Sequence, residues 1–357
     1  MNTLQKITLY QFRNYGSSSF SFTQPVTCIT GPNGSGKTNL LDAVYYLCYT
    51  KSYFSAYQQH SAMAGTDGFR LEGLFQRGDR SEVVCCKWKQ GKKEVFVNDV
   101  PYERINDHIG HYAAVMIAPD DMELVNDGSG LRRRWLDSIM AQVDREYLEK
   151  LVYYQRILMQ RNAWLRLQAS KPSASYSELE FYDAGLAGSG QYIYDARKAF
   201  ITSFLPYLSD FYARLSLGRE AVQLIYTSDL HERPLQHWLT ESLQHDLRLQ
   251  RTLRGIHKDD CDLLLDGAAL KIFGSQGQKK SFLFAMKLAQ YAWLAQTLGH
   301  KPILLLDDIF EKLDQSRMEA LLHIIRTPAF GQVLLTDTHP ERIKQAFGAH
   351  EPGFIYL

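Results

Sequence analysis

The apolar positions of this chain change period several times along its length. Leu4, Ile7 and Leu9, then Phe20 and Phe22, form β-type runs, with Tyr15-Gly16-Ser17-Ser18 as the expected turn between them. A third run, Val26 to Thr30, leads through a glycine-rich turn into a helical pattern from Asn39 to Leu47. Between Phe69 and Val100 three short strands (69–75, 82–89 and 94–98) alternate with turns at Arg77-Gly78-Asp79 and Gln90-Gly91-Lys92-Lys93, the pattern of an antiparallel sheet. From Leu131 to about Leu167, the residues Leu136, Ile139, Met140, Val143, Tyr147, Leu151, Tyr154 and Leu158 fall on one face, predicting one long helix. Residues 169–175 break it, and a second helical pattern from Ser177 through Phe204 returns along the first. Downstream come a strand at 222–226, an amphipathic helix over about 235–248, a helix from Lys279 to about Gln296, and the apolar runs 302–306 and 333–335. Continuous apolar runs suit strands buried on both faces of a parallel sheet.

Chemistry enters at the first turn between strand and helix. Gly31-Pro32-Asn33-Gly34-Ser35-Gly36-Lys37-Thr38 fits G-x-x-x-x-G-K-[ST] without departure, in the strand-turn-helix setting that this P-loop pattern requires. Such a loop turns successive N–H groups toward phosphate oxygens at the positive end of a helix. Lys37 is the candidate ligand of the β/γ-phosphates and Thr38 of Mg²⁺. The run 302–306 ends in Asp307-Asp308, where carboxylates at the carboxyl end of a parallel strand meet bound ligands. Asp307 is the candidate for holding Mg²⁺ through water and Asp308 for polarising an attacking water; two carboxylates capping the next helix is the competing reading. Gly274-Ser275-Gln276-Gly277-Gln278 opens the helix that follows, and Gly277 precedes Asp307 by 30 residues. A small polar helix start of this kind is an anion site.

Composition narrows the class. At 357 residues, 45% apolar and 22% charged, the chain reads as an ordinary globular protein of one large or two modest domains. A net charge of +1 argues against a basic-arm nucleic-acid binder, so any DNA contact must come from local patches. Arg77, Arg80, Lys87, Lys89, Lys92 and Lys93 make the antiparallel region locally basic; strand-edge lysines that block edge pairing explain this as well as a DNA face does. Arg132-Arg133-Arg134 lies at a helix start, where cations oppose the dipole, so an anionic partner is expected, either DNA phosphate or an internal carboxylate. Five cysteines without metal-ligand spacing read as reduced core thiols. The N-terminus carries no signal-peptide pattern and no apolar stretch approaches ~18 residues, so a cytoplasmic protein without a membrane span is expected.

The order P-loop, Ser-x-Gly-Gln, apolar strand with Asp-Asp resembles the ABC-type ATPases. There the signature of one subunit closes over the γ-phosphate held by the P-loop of the other. Within that resemblance Glu311-Lys312-Leu313-Asp314 is placed like the D-loop, making Asp314 a nucleotide-side residue, and His339 like the switch histidine after the strand 333–337. Phe12-Arg13-Asn14-Tyr15 ahead of the P-loop, Pro119-Asp120-Asp121, Arg132-Arg133-x-x-Leu136-Asp137 and Gly255-Ile256-His257-Lys258-Asp259-Asp260 are similar to the RecF family, recombination mediators among the SMC-like ABC ATPases. Departures are Asp42 in place of the usual Glu, Ile256 in place of Pro, and Asp308 in place of the common ABC glutamate, the last being usual for RecF.

The resemblance implies an α/β fold: an ABC-type P-loop ATPase head with a mixed core sheet and an antiparallel β subdomain, carrying an inserted α-helical lobe. Its expected limits are 1–120 with 221–357 for the ATPase lobe and 121–220 for the insertion. It implies ATP and Mg²⁺ as cofactors, Arg13 and Asn14 beside the nucleotide, and an ATP-dependent homodimer in which Ser275, Gln276, Gly277 and Gln278 face the partner's P-loop. It implies binding to gapped or junction DNA with single-stranded character, cooperation with RecO and RecR in loading RecA, and roles in replication, repair and the SOS response. Asp308, one methylene shorter than glutamate, implies slow, switch-like hydrolysis. A transport-complex ATPase subunit and an ATP-gated scaffold are the alternatives. An insertion of about 110 residues without sustained heptads does not suit a chromosome-tethering coiled coil.

Overall fold

The computed structural model describes residues 2–126, 128–170, 177–216, 220–308, 315–348 and 352–357. The chain divides into two units: one of residues 1–122, 210–219 and 275–357, the other of 123–209 and 220–274. The second unit takes in residues 221–274, which the expected limits place with the ATPase lobe. The strand Asp260–Leu265 packs on the helix Ser129–Val143 and the helix Leu235–Leu249 on the helix Arg145–Ser170, and buried ion pairs reinforce the attachment. Arg132, Arg161 and Arg197 on the helices pair with Asp260, Asp246 and Asp259, binding that segment to them.

In the first unit, β1 (Asn2–Phe12), β2 (Tyr15–Ser21), β4 (Gly68–Arg77), β5 (Arg80–Lys89), β6 (Lys92–Val97) and β7 (Val100–Pro101) form an antiparallel sheet in the order β2-β1-β4-β5-β6-β7. The first turn is tighter than expected. Phe12 pairs with Tyr15, so Arg13-Asn14 is the whole loop and Arg13 takes a φ of 55°, while residues 15–18 belong to β2. The second sheet is all parallel, in the order β14-β3-β13-β12-β8, from β3 (Val26–Thr30), β8 (Ala114–Ile117), β12 (Ile303–Leu306), β13 (Val333–Asp337) and β14 (Gly353–Tyr356). Four of these strands lack an exposed face, which is why they read as unbroken apolar runs.

Helix α1 (Lys37–Tyr49) packs against strands of both sheets and buries nearly every residue, so it is apolar around most of its circumference rather than striped. Gln332, entering β13, bonds both backbone groups of Leu4 at 2.7 Å and ties the two sheets together inside the core. Helices α8 (Gln276–Leu298), α9 (Gln315–Ile325) and α10 (Pro340–Phe347) complete this unit with residues 210–216 of α5.

The second unit holds α2 (Glu123–Asn126), α3 (Ser129–Val143), α4 (Arg145–Ser170), most of α5 (Ser177–Ser216), α6 (Leu235–Leu249), α7 (Leu270–Phe273), and a three-stranded antiparallel sheet of β9 (Val222–Thr227), β10 (Asp260–Leu265) and β11 (Ala268–Ala269). The single helix expected over 131–167 is two. Asp144 leaves the helical region at φ −133°, ψ 102°, and its carboxylate caps the N–H of Tyr147 at 2.9 Å. Helices α4 and α5 run antiparallel, as expected. Their contacts step by seven residues: Arg161 meets Asp183, Tyr154 packs on Gly190, and Arg197 donates to Tyr147. Among the described residues no helix is long and apolar enough to cross a membrane, and all five cysteines are buried and free.

Candidate nucleotide-binding site

Because the strands are parallel, Gly31, Ala118, Asp307 and Thr338 all leave the sheet at its carboxyl edge. Gly36 precedes α1 with a φ of 112°, and a Cβ there would stand 2.6 Å from Nδ2 of Asn14 and 2.8 Å from the Tyr15 hydroxyl. Only glycine serves. The first hairpin thus clasps the loop: Asn14 donates to the Ser35 carbonyl at 3.1 Å and Tyr15 to that of Gly36 at 3.1 Å. Asn39 donates to Oδ1 of Asn14 at 2.8 Å. Lys37, buried, donates to the carbonyls of Gly31 at 2.9 Å and Pro32 at 3.1 Å, so its ammonium spans the loop mouth. Pro32, Asn33 and Gly34 face solvent.

The Thr38 hydroxyl lies 3.0 Å from both oxygens of Asp307, 269 residues away in sequence. Thr336 on β13 donates to Asp307 at 2.8 Å and accepts the N–H of Asp308 at 2.8 Å. Burial pushes the Asp307 carboxyl up to about 6; the adjacent Asp308 adds to this, while the hydroxyls of Thr336 and Thr38 oppose it. A carboxylate 3 Å from a threonine hydroxyl is a hard-oxygen pair that fits Mg²⁺, and the loop fits a polyphosphate. Asp308 sits at φ 43°, an uncommon conformation that turns its half-buried side chain out of strand direction. Asp42, on the far side of α1, is fully buried and accepts bonds from Arg13 (2.9 Å), Ser52 and the N–H of Tyr53 (2.8 Å). It holds Arg13 in place.

Ser275 and Gln276 are exposed, and Gly277 and Gln278 half-buried. Ser275 and Gln278 form a reciprocal capping box, with the Ser275 hydroxyl accepting from the N–H of Gln278 at 3.2 Å and the Gln278 side chain from that of Ser275 at 2.6 Å. A Cβ at 277 would stand 2.9 Å from the Arg317 guanidinium, whose Nε donates to Ser281 at 2.7 Å. His339 is exposed at the start of α10, where its N–H donates to Asp337 at 2.6 Å. Asp314 lies outside the described residues.

The profile of the RecF/RecN/SMC N terminal domain matches residues 3–350. A DNA replication and repair protein RecF from Flavobacterium johnsoniae is 40% identical over 95% of both chains, and one from Cytophaga hutchinsonii is 37% identical over 98% of this chain and 93% of its own. The chain belongs to the RecF family. It is therefore an ABC-type ATPase head of the SMC-like group in fold, and solved RecF structures agree. One of the recombination mediator protein RecF-ATP in the RecFOR pathway superposes with a TM-score of 0.88 at 28% identity, covering 95% of this chain and 92% of that one. An Smc head domain from Pyrococcus furiosus, at a TM-score of 0.58 and 17% identity, shares the fold.

The RecF-like segments outside the P-loop resolve into different roles. Arg132 forms a two-pronged pair with Asp260 at 2.7 and 2.8 Å, and Arg133 donates to the Asp259 carbonyl at 2.5 Å, so the internal carboxylate is the partner of this cluster's first member; Arg134 is exposed. His257 bonds the Tyr154 hydroxyl at 2.8 Å and the Thr252 carbonyl at 3.1 Å within the second unit, and Asp259 bonds Arg197. In the antiparallel sheet Lys93 caps the end of α1 through the Thr50 carbonyl at 2.8 Å, Lys92 pairs with Glu94, and Lys87 lies over Phe96; Arg77 and Arg80 face each other across an exposed hairpin end. Thr336 and Ser52 escaped the sequence reading. For Thr336 the available signal was a lone hydroxyl on a buried apolar strand.

Proposed function

We propose that this chain is an ATP-gated DNA-repair mediator whose composite nucleotide site is shared by two copies. The observation that carries this reading is the Thr38–Asp307–Thr336 cluster set beside an intact P-loop, together with a signature turn whose Ser275 is presented to solvent on a rigid capping box. The loop N–H groups and Lys37 would hold phosphate oxygens, and Thr38 with Asp307 would hold Mg²⁺, which would supply charge neutralisation at the phosphates. Arg13, fixed by Asp42 and Ser52, and Asn14 lie beside the nucleotide. Ser275, Gln276, Gly277 and Gln278 of a second copy close the site, with His339 as its switch histidine; Asp314 keeps only the D-loop role that the resemblance implies. Bound Mg-ATP supplies the γ-phosphate charge that both copies recognise. Asp308 orients a water and accepts its proton; its short side chain makes turnover slow and switch-like. The names of the relatives support DNA repair and replication as the setting; within it, gapped or junction DNA is the proposed ligand, RecO and RecR are the proposed partners, and RecA loading is the proposed outcome.

Sedimentation of Asp308→Asn with Mg-ATP, Mg-ADP or no nucleotide, each with labelled gapped duplex, tests the reading. A long-lived dimer that forms only with ATP and carries the DNA is expected. A monomer throughout overturns the shared site. A dimer that leaves the DNA behind moves the function to a transport or scaffold ATPase.

A further inference from the structure

Lys287 stands in the middle of α8, twelve residues after Ser275, and is only 3% exposed. Its ammonium donates to the Tyr53 hydroxyl at 2.9 Å and the Met116 carbonyl at 3.0 Å, and lies 3.1 Å from Asp121. Asp121, also buried, accepts the Tyr53 hydroxyl on one oxygen and the N–H of Ala118 on the other at 2.8 Å. Burial and the Asp121 charge hold the Tyr53 phenol well above its usual range, so it remains a donor.

The cluster reaches both halves of the candidate site. Tyr53 packs edge-on against Tyr45 of α1 with centroids 4.9 Å apart, and its N–H bonds Asp42, which in turn fixes Arg13. Met116 and Ala118 flank Ile117, whose carbonyl accepts the N–H of Asp307 at 2.8 Å. A buried ion pair adds little net stability over a well-packed apolar replacement. What it supplies here is register among three elements that converge from distant parts of the sequence.

We infer that Lys287, Asp121 and Tyr53 are positioning residues that lock the helix bearing the Ser-x-Gly-Gln turn to the P-loop helix and to the strand beside Asp307. Occupancy of the P-loop is thereby transmitted along α8. This rests on the nucleotide reading above but not on dimerisation. The test compares wild type with Lys287→Met, which keeps the side-chain length without the charge, and with the milder Tyr53→Phe. Hydrogen exchange is followed with and without Mg-ADP, and dimerisation with Mg-ATP.

In wild type, Mg-ADP is expected to slow exchange both at residues 37–44 and at 283–290. In the variants the first effect persists and the second is lost, and the dimer midpoint with Mg-ATP weakens about tenfold for Lys287→Met. Should Lys287→Met fail to fold, Tyr53→Phe carries the comparison. Retention of the α8 response in a folded variant overturns the inference even if wild type dimerises. The expected exchange pattern without any ATP dimer leaves the cluster standing and removes the shared-site reading. Absence of protection at 37–44 in wild type overturns both.

Discussion

Both units bury charge, but the buried arginines of the one and Asp307 of the other are compensated in different ways. In the helical unit each fully buried guanidinium meets two carboxylates: Arg161 lies between Asp183 and Asp246, and Arg197 between Asp137 and Asp259. In the nucleotide unit Asp307 is surrounded chiefly by hydroxyls and a second carboxylate, and its acidity is weakened as a result. The first arrangement is a closed set of ion pairs. The second is a buried carboxyl with hydroxyl partners, the kind of perturbed group that the proposed function uses to hold a cation.

Neutralising one charge in each unit breaks this comparison most sharply. Arg197→Met leaves Asp137 and Asp259 facing each other without their cation. It should cost about 3–5 kcal/mol, read as a lowered midpoint in urea unfolding. If that variant is as stable as wild type, this set of ion pairs is not structural.

Acid sharpens the comparison next, because each unit holds a histidine whose pKa desolvation lowers. His108, fully buried with Nε2 at 2.6 Å from the Leu47 carbonyl, has its pKa lowered to about 4 by burial, and half-buried His257 is lowered to about 4 chiefly for the same reason. The unfolded chain binds these protons more tightly, so the stability they contribute is complete above about pH 6.5 and is lost as pH falls toward 4. For His108 the loss is about 3 kcal/mol. His108→Gln should flatten the pH dependence of unfolding between 6.5 and 4; an unchanged slope removes His108 from the account.

The smallest stability effect belongs to Asp307→Asn. Removing a carboxylate that burial disfavours should leave the melting temperature above pH 6 unchanged or slightly higher, within about 1 kcal/mol, while Mg²⁺-dependent nucleotide binding measured by calorimetry falls at least about tenfold. A large loss of stability would instead make Asp307 a structural group like the ion pairs of the helical unit.

The P-loop, Asp307-Asp308 and the signature turn were legible because each is a short, contiguous pattern whose chemistry is fixed by spacing. The strands of the parallel sheet were legible because burial on both faces leaves an unbroken apolar run. The break at Asp144 was hidden: Val143 and Tyr147 keep a helical spacing of four whether the helix continues or restarts at a cap. Residues 221–274 fall in the other unit from the one expected, because their attachment includes Arg–Asp pairs up to 128 residues apart. Thr336 and Lys287 were invisible for the same reason, since neither reveals its partner to a neighbour in sequence. Asp42 in place of Glu is accommodated by Ser52 and the N–H of Tyr53, which reach toward the shorter carboxylate.

The order of the parallel sheet also bears on how the protein is made. Strand β3 and its P-loop leave the ribosome early, yet their neighbour β13 begins only at Val333 and the Asp307 strand at Ile303. At translation rates of about 5–20 residues per second, some 300 intervening residues take about 15–60 s. Throughout that interval Cys28 and Ile29 lack the strand that pairs with them, and the Thr38–Asp307 hydrogen bond does not exist. A nascent chain therefore brings the P-loop and Asp307 together only after the helical unit has already emerged.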